Sequence, residues 1–168
     1  MTDSEAILCP EKNEVHEKKS KIIFVCTGNT CRSPMAAALF NHLYSDSPFT
    51  ASSAGLCADG SPIAENALEA LMERGVLPTP DNDYVRHTSR MLDEDTVRSA
   101  DLIVGMTSSH SMSILMMYPM YASKIAVMPT DISDPYGGSI EEYRRCLSEI
   151  ESALKIAFAK EKDDGNAD

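Results

Sequence analysis

Apolar positions along this chain follow two rhythms. Residues 21–25, Lys-Ile-Ile-Phe-Val, form a short apolar, β-branched run of the kind that fills a buried strand. Residues 34–44 instead set Met35, Leu39 and Leu43 at steps of four, which predicts a helix with one apolar face. The alternation continues. Residues 49–55 read as a second short strand ending at Gly55. A helix is expected to start at Ser61-Pro62, carried by Ala64, Ala67, Leu68 and Leu71 and stopped by Gly75. Residues 76–87 are polar and proline-rich and predict no regular element. A short helix over 93–99, a buried strand over 100–106, a helix over 108–118 and a fourth strand over 124–128 follow. Residues 113–121, Ser-Ile-Leu-Met-Met-Tyr-Pro-Met-Tyr, are the oiliest stretch and are expected to end a helix in the interior. The final helix opens on a capping box from Ser139 to Glu142. It runs through Ile140, Tyr143, Leu147, Ile150, Leu154 and Phe158 at steps of three and four.

Strands alternating with helices predict an α/β fold, a parallel sheet with helices on both faces, in one domain over residues 21–160. Residues 1–20 are charged and aperiodic and are expected to be a disordered tail, with residues 161–168 a frayed end. In such sheets ligands bind at the carboxyl ends of the strands.

Charge narrows the possible partners. Lys plus Arg is 15 against 26 Asp plus Glu, a net charge of −11, which argues against nucleic acid or an anionic membrane as the main partner. An anionic substrate must therefore be drawn in by a local field. The five cysteines (Cys9, Cys26, Cys31, Cys57 and Cys146) form no disulfide framework. With no secretory or membrane-spanning apolar run, they predict a cytoplasmic protein with reduced thiols, expected to be a monomer.

The strongest chemistry lies in Phe-Val-Cys-Thr-Gly-Asn-Thr-Cys-Arg-Ser-Pro, residues 24–34, between the first strand and the first helix. Ser33 and Pro34 look like the cap and first residue of that helix. Free backbone N–H groups converge where a strand end meets a helix start, and such a place binds anions. Gly28 and Asn29 are the residue types that best tolerate positive φ. The loop Thr27-Gly28-Asn29-Thr30-Cys31 can then wrap a phosphoryl group, with Arg32 as a planar fork for two of its oxygens. Cys26 at the base of this cradle is the candidate nucleophile, its thiolate stabilised by the loop amides and the helix end. The bland reading makes Cys26 a small buried hydrophobe and Arg32 a surface charge. A metal site fails for want of a second ligand pair. A nucleotide loop fails because its Gly-Lys-Ser/Thr ending is missing. Nucleophilic attack also needs a proton donor for the leaving group. Asp134, in Asp-Pro-Tyr-Gly-Gly before the last helix and after the fourth strand, is the candidate.

These two motifs, in this order and separation, resemble the low-molecular-weight protein tyrosine phosphatase family over residues 21–160. The resemblance implies a four-stranded parallel sheet, a cysteinyl-phosphate intermediate, no metal and no cofactor, and phosphorylated proteins as substrates. Carried over, Cys26 is the nucleophile, Arg32 the phosphate clamp, and Asp134 the acid that later serves as base for water. Ser33 would hydrogen-bond the thiolate. Asn29 would hold the loop, with Ser53 and His87 behind it, and Tyr136 would wall the pocket. Cys31 matches a position where a second thiol can capture an oxidised nucleophile as a disulfide. Thr30 stands where tyrosine phosphatases of this type commonly carry a bulky aliphatic residue. Together with Gly-Met-Thr-Ser-Ser-His (105–110), it resembles the bacterial protein arginine phosphatase branch. Phosphoarginine and phosphotyrosine both stand as substrates. Thiol-dependent arsenate reductases share the loop but need relay cysteines, and none lies between Ala58 and Arg145. A catalytically dead phosphosite-binding module would be expected to have lost Cys26 or Asp134, and both are present.

Overall fold

Strand β1 (Ser20–Cys26) divides the interior in two, because successive side chains on a strand point to opposite faces. Ile22, Phe24 and Cys26 enter one core, and Ile23 and Val25 the other. In this computed structural model, which describes residues 18–159, β1 pairs in parallel with β2 (Phe49–Gly55) on one side and β3 (Leu102–Gly105) on the other. The edge strand β4 (Ile125–Val127) completes a four-stranded parallel sheet of order β2-β1-β3-β4.

Helices cover both faces. α1 (Arg32–Leu43), α2 (Glu65–Glu73) and α5 (Ile140–Ala157) supply the larger core, where Phe40, Leu71, Leu147 and Ile150 are fully buried. α3 (Glu94–Ser99) and α4 (Ser108–Met117) close the other with Val97 and Ile114. Phe40 anchors an aromatic cluster, its ring centroid 5.0 Å from that of Tyr44 and 4.9 Å from that of Phe158. Edge strand β2 is capped from outside by Asn41, whose amide both donates to the Ala51 carbonyl at 2.9 Å and accepts the Ala51 N–H at 2.8 Å. No buried side-chain polar atom among the described residues lacks a partner.

Four expectations change. Most of the expected tail, residues 1–17, lies outside the described residues, as does all of the expected frayed end, 161–168, but Ser20 already belongs to β1. Helix α1 starts at Arg32, because Ser33 is drawn to the Cys26 sulfur instead of capping; Pro34 still sits in the first turn, where its missing donor costs nothing. Helix α2 starts at Glu65, not at Ser61. Ser61 to Ile63 run extended and bond residues 87–89, with the Ser89 N–H donating to Ser61 O at 2.7 Å. The oily stretch at the end of α4 is interior only in part: Ile114 is buried and Tyr118 and Tyr121 pack on the core, but Met116 is 77% and Met117 50% exposed. β3 and β4 lie against the opposite side of α4 and need only Ile114 and the helix start.

Replacing the buried Phe40 by Ala should remove about 3–5 kcal/mol of stability, through lost burial and the cavity left in the ring cluster. A urea unfolding curve of the variant reads this directly, and a loss under ~1 kcal/mol would mean that the cluster repacks.

Candidate active site

Everything that holds the loop after β1 turns its carbonyls outward. Thr27 O accepts the Cys57 N–H at 2.8 Å and Thr30 O accepts the Ala64 N–H at 2.9 Å. Asn29 O takes a bond from His87 Nε2 at 2.8 Å, which must therefore be the protonated ring nitrogen. In a trans peptide the N–H opposes the C=O, and no peptide here is cis. The N–H groups of Gly28, Thr30 and Cys31 accordingly face inward. With the start of α1 they form a cradle of donors, which suits an anion with several oxygens.

Asn29 makes this turn possible. It is the one non-glycine residue at positive φ (57°) among the described residues, and it is completely buried. Its Nδ2 donates to Ser33 Oγ and to Ser53 Oγ, both at 2.9 Å, and its Oδ1 accepts the Arg90 N–H at 3.0 Å. Beneath it, Gly55 admits the loop, since a Cβ there would lie 2.6 Å from Thr27 O and 2.9 Å from the Asn29 Cβ. Arg90 braces the same corner, with Nε donating to Ser53 O at 2.9 Å.

Cys26 sits at the bottom of the cradle. Its Sγ receives the Asn29 N–H at 3.3 Å and lies 2.9 Å from Ser33 Oγ. Ser33 already accepts from Asn29, and its one hydrogen has two acceptors in reach, Ala54 O at 3.4 Å and the nearer Cys26 sulfur, which as a thiolate is the stronger. Arg32 is buried, anchored by Nη1 on Ile132 O at 3.2 Å, and its Nη2 lies 3.4 Å from Asp134 Oδ2. The Asp134 carboxylate is 54% exposed and accepts the Tyr136 N–H at 3.1 Å. The Asp134 loop is tied down by Ser133 bonds to Glu149 of α5 and by Asn66 Nδ2 donating to Gly138 O at 3.2 Å.

The resulting cleft of about 550 Å³ is lined by Cys26, the whole 27–32 loop, Asp134 and Tyr136, joined by Cys57, Asp59 and residues 61–65. Tyr136 is 77% exposed at its mouth. Every expected site residue thus comes together: the 26–33 loop, Asp134 and Tyr136 around the cleft, and Ser53 and His87 behind it. Cys31 lines the cleft but its Sγ lies 3.2 Å from the hydroxyl of Tyr143 on α5, and burial raises its pKa. Sequence reasoning missed Arg90 and the role of Tyr143, and it met His110 only as the end of the Gly-Met-Thr-Ser-Ser-His segment (105–110), with no role of its own. The buried His110 reaches Thr27 Oγ1 at 3.0 Å. Only the Thr-x-x-His spacing at the start of α4 could have marked it.

The family sequence model described as low molecular weight phosphotyrosine protein phosphatase matches residues 21–166. This chain belongs to that family. It is a cysteine-dependent phosphatase with the four-stranded fold of its relatives. A protein-arginine-phosphatase of Bacillus subtilis (strain 168) is 36% identical over 153 residues, covering 85% of this chain and 97% of that protein. An arsenate reductase of Brevibacillus brevis is 34% identical over 139 residues, covering 83% and 94%. The solved YwlE arginine phosphatase from Geobacillus stearothermophilus superimposes with a TM-score of 0.72 at 35% identity, over 81% of this phosphatase and 88% of that chain.

His87 and His110 carry a pH signature. Burial lowers the pKa of both, assisted by the nearby Arg90 cation for His87 and the Arg32 cation for His110. Unfolding exposes them to titrate near the ordinary value of about 6.5, so below that pH the unfolded chain binds more protons. Their contribution is intact above about pH 6.5 and is lost as pH falls through the lower folded values. The melting temperature should drop between pH 7 and 5, and replacing both histidines by Gln should flatten that part of the profile.

Proposed function

We propose that this phosphatase removes phosphate from arginine side chains of proteins, in the cytosol and as a monomer. The observation that carries the choice is the lining of the cleft. Its wall presents the Thr30 side chain, with a hydroxyl, and the carboxylates of Asp59, Glu65 and Asp134, and Tyr136 is its one aromatic ring among the described residues. Beside Tyr136, a phenyl ring finds Pro62, Ile63 and Ala64 to pack against but nothing that uses the three carboxylates. A guanidinium finds charge and acceptors there, and would otherwise bury N–H groups without partners at about 1–3 kcal/mol each.

The reaction follows from the positions. The Cys26 thiolate, solvated by the Ser33 hydroxyl and the Asn29 N–H, attacks phosphorus while the inward amides and the Arg32 fork hold the equatorial oxygens. The P–N bond breaks as Asp134 delivers a proton to the departing guanidine nitrogen. Asp134 then takes a proton from water, which attacks the cysteinyl phosphate and releases inorganic phosphate and the thiolate. No metal or cofactor enters this scheme. Peroxide would convert Cys26 to a sulfenic acid, and attack by the Cys31 thiol with loss of water would store it as a disulfide.

Arsenate reduction finds less support. A relay needs more than one accessible thiol beyond the loop; Cys57 is exposed beside the cleft, but burial pushes the Cys146 thiol up to about 12, with its Sγ donating to Ser133 O.

Two experiments bear on this reading. Cys26→Ser should abolish turnover yet keep phosphate binding, and Arg32→Lys should also fail, because a point charge cannot replace the bidentate fork. Any retained turnover in Cys26→Ser would refute the covalent route. The wild-type enzyme should show higher kcat/KM on phosphoarginine than on phosphotyrosine peptides, and Thr30→Ile should cut the first about tenfold or more while sparing the second. A wild-type preference for phosphotyrosine, with a ratio unmoved by Thr30→Ile, would leave the tyrosine alternative standing.

A further inference from the structure

His110 is a buried titratable group that the scheme above does not use. It lies in the first turn of α4, with each ring nitrogen on a threonine hydroxyl: Nδ1 is 2.8 Å from Thr107 Oγ1, and Nε2 is 3.0 Å from Thr27 Oγ1. Thr107 is the N-cap of α4, and its Oγ1 accepts the His110 backbone N–H. That bond sets a direction for the rest. The Thr107 hydroxyl has one hydrogen, and among the described residues Nδ1 is the one acceptor in its reach, which favours that hydrogen pointing at Nδ1. An unprotonated Nδ1 puts the proton on Nε2, which donates to Thr27 Oγ1. Thr27 has then accepted its bond, and its own hydrogen is free. Thr27 is the residue next to the nucleophile, exposed on the cleft wall.

We infer that Thr27 is a side-chain donor to the phosphoryl group of the substrate, held in that polarity by the Nε2–H tautomer of His110, with Thr107 setting the tautomer. The cradle of backbone amides and Arg32 thus gains one hydroxyl donor. His110 acts only through Thr27 and is a positioning residue. The charged groups around it are Arg32, Asp134 and Asp131, the last held on the start of α4 by the Ser108 N–H at 2.8 Å. Burial and the Arg32 cation favour the neutral imidazole, which is the form the relay requires. A hydroxyl suits this place because it can accept from the imidazole and donate to an anionic oxygen at the same time. Valine, its isostere, can do neither.

The inference rests on the cleft being a phosphoryl site but not on the choice between arginine and tyrosine, so inorganic phosphate serves as the probe. Its inhibition constant should rise about tenfold in Thr27→Val, and Thr27→Ser should stay within about twofold of wild type, because a bond to a charged group is worth that much. His110→Ala should weaken phosphate binding in the wild-type background but add nothing in Thr27→Val. An equal His110→Ala loss in both backgrounds, or full affinity in Thr27→Val, would overturn the proposal. Failure of the wild type to bind phosphate would overturn the reading of the cleft itself. Long-range proton–nitrogen NMR of the unmodified protein tests the polarity without any variant: a bare Nδ1 and a protonated Nε2 on His110 are expected, and the opposite tautomer would refute the relay.

Discussion

The left-handed conformation of Asn29 is the constraint on which the active site depends. Without it the chain leaving β1 could not reverse its peptide planes within a few residues, and the amides of Gly28, Thr30 and Cys31 would not share one side. A positive φ is costly for a residue with a side chain, of order 1–3 kcal/mol where the surroundings must enforce it. Here the side chain offsets that cost by bonding Ser33, Ser53 and Arg90, and the carbonyl by bonding His87. Glycine would adopt the turn more cheaply and keep the carbonyl bond to His87, but it would lose the bonds to Ser33, Ser53 and Arg90. Gly55 plays the complementary part, since only a residue without a Cβ lets the loop settle onto the end of β2.

This anchoring explains how a chain of net charge −11 can bind an anion. At physiological ionic strength charges more than about 8 Å apart are largely screened, so the distant carboxylates matter little to the cradle. Within it stand a buried guanidinium, a helix start and inward amides. The acidic groups sit farther out, at Asp59, Glu65 and Asp134, where the substrate beyond its phosphate would lie. Positive at the base and negative at the mouth, the cleft has the polarity opposite to that of the proposed phosphoarginine substrate, an anionic phosphoryl carried on a cationic group. A phosphotyrosine ring provides no such second charge.

How far the sequence could be read depended on whether local or distant forces decide a residue's state. β1, α5 and the capping box at Ser139 were legible because hydrophobic period and cap chemistry agree there, and the Cys26–Arg32 spacing was legible because a cradle needs it. The start of α2 was not, since Ser61-Pro62 is a good helix opening whose backbone is claimed by residues 87–89, close only after folding. The methionines closing α4 looked like core, because hydrophobicity marks what can be buried without saying which side the sheet will cover. Tyr143 and His110 were hidden by their surroundings. Tyr143 fits the apolar stripe of α5, and only the fold brings its hydroxyl to Cys31. His110 is separated from Thr27 by 83 positions, and nothing local in the chain couples them.

The two halves of the cleft also differ in how they are held, and the difference follows their chemistry. The phosphate half must present its donors already aligned, because amides that reorient during the reaction give back what they gain in stabilising charge. Its loop is bonded from α2, β2 and the His87 segment, and its charged member Arg32 is buried. In the proposed mechanism the proton-transfer half faces the opposite demand, since one carboxylate would serve a leaving group and then a water. Asp134 is half exposed and paired with Arg32 only at 3.4 Å, but its loop is fastened at Ser133 and Gly138, so the carboxylate can adjust without leaving the nucleophile's side of the cleft. A rigid electrophile site beside an adjustable acid is what a two-step transfer through one cysteine requires.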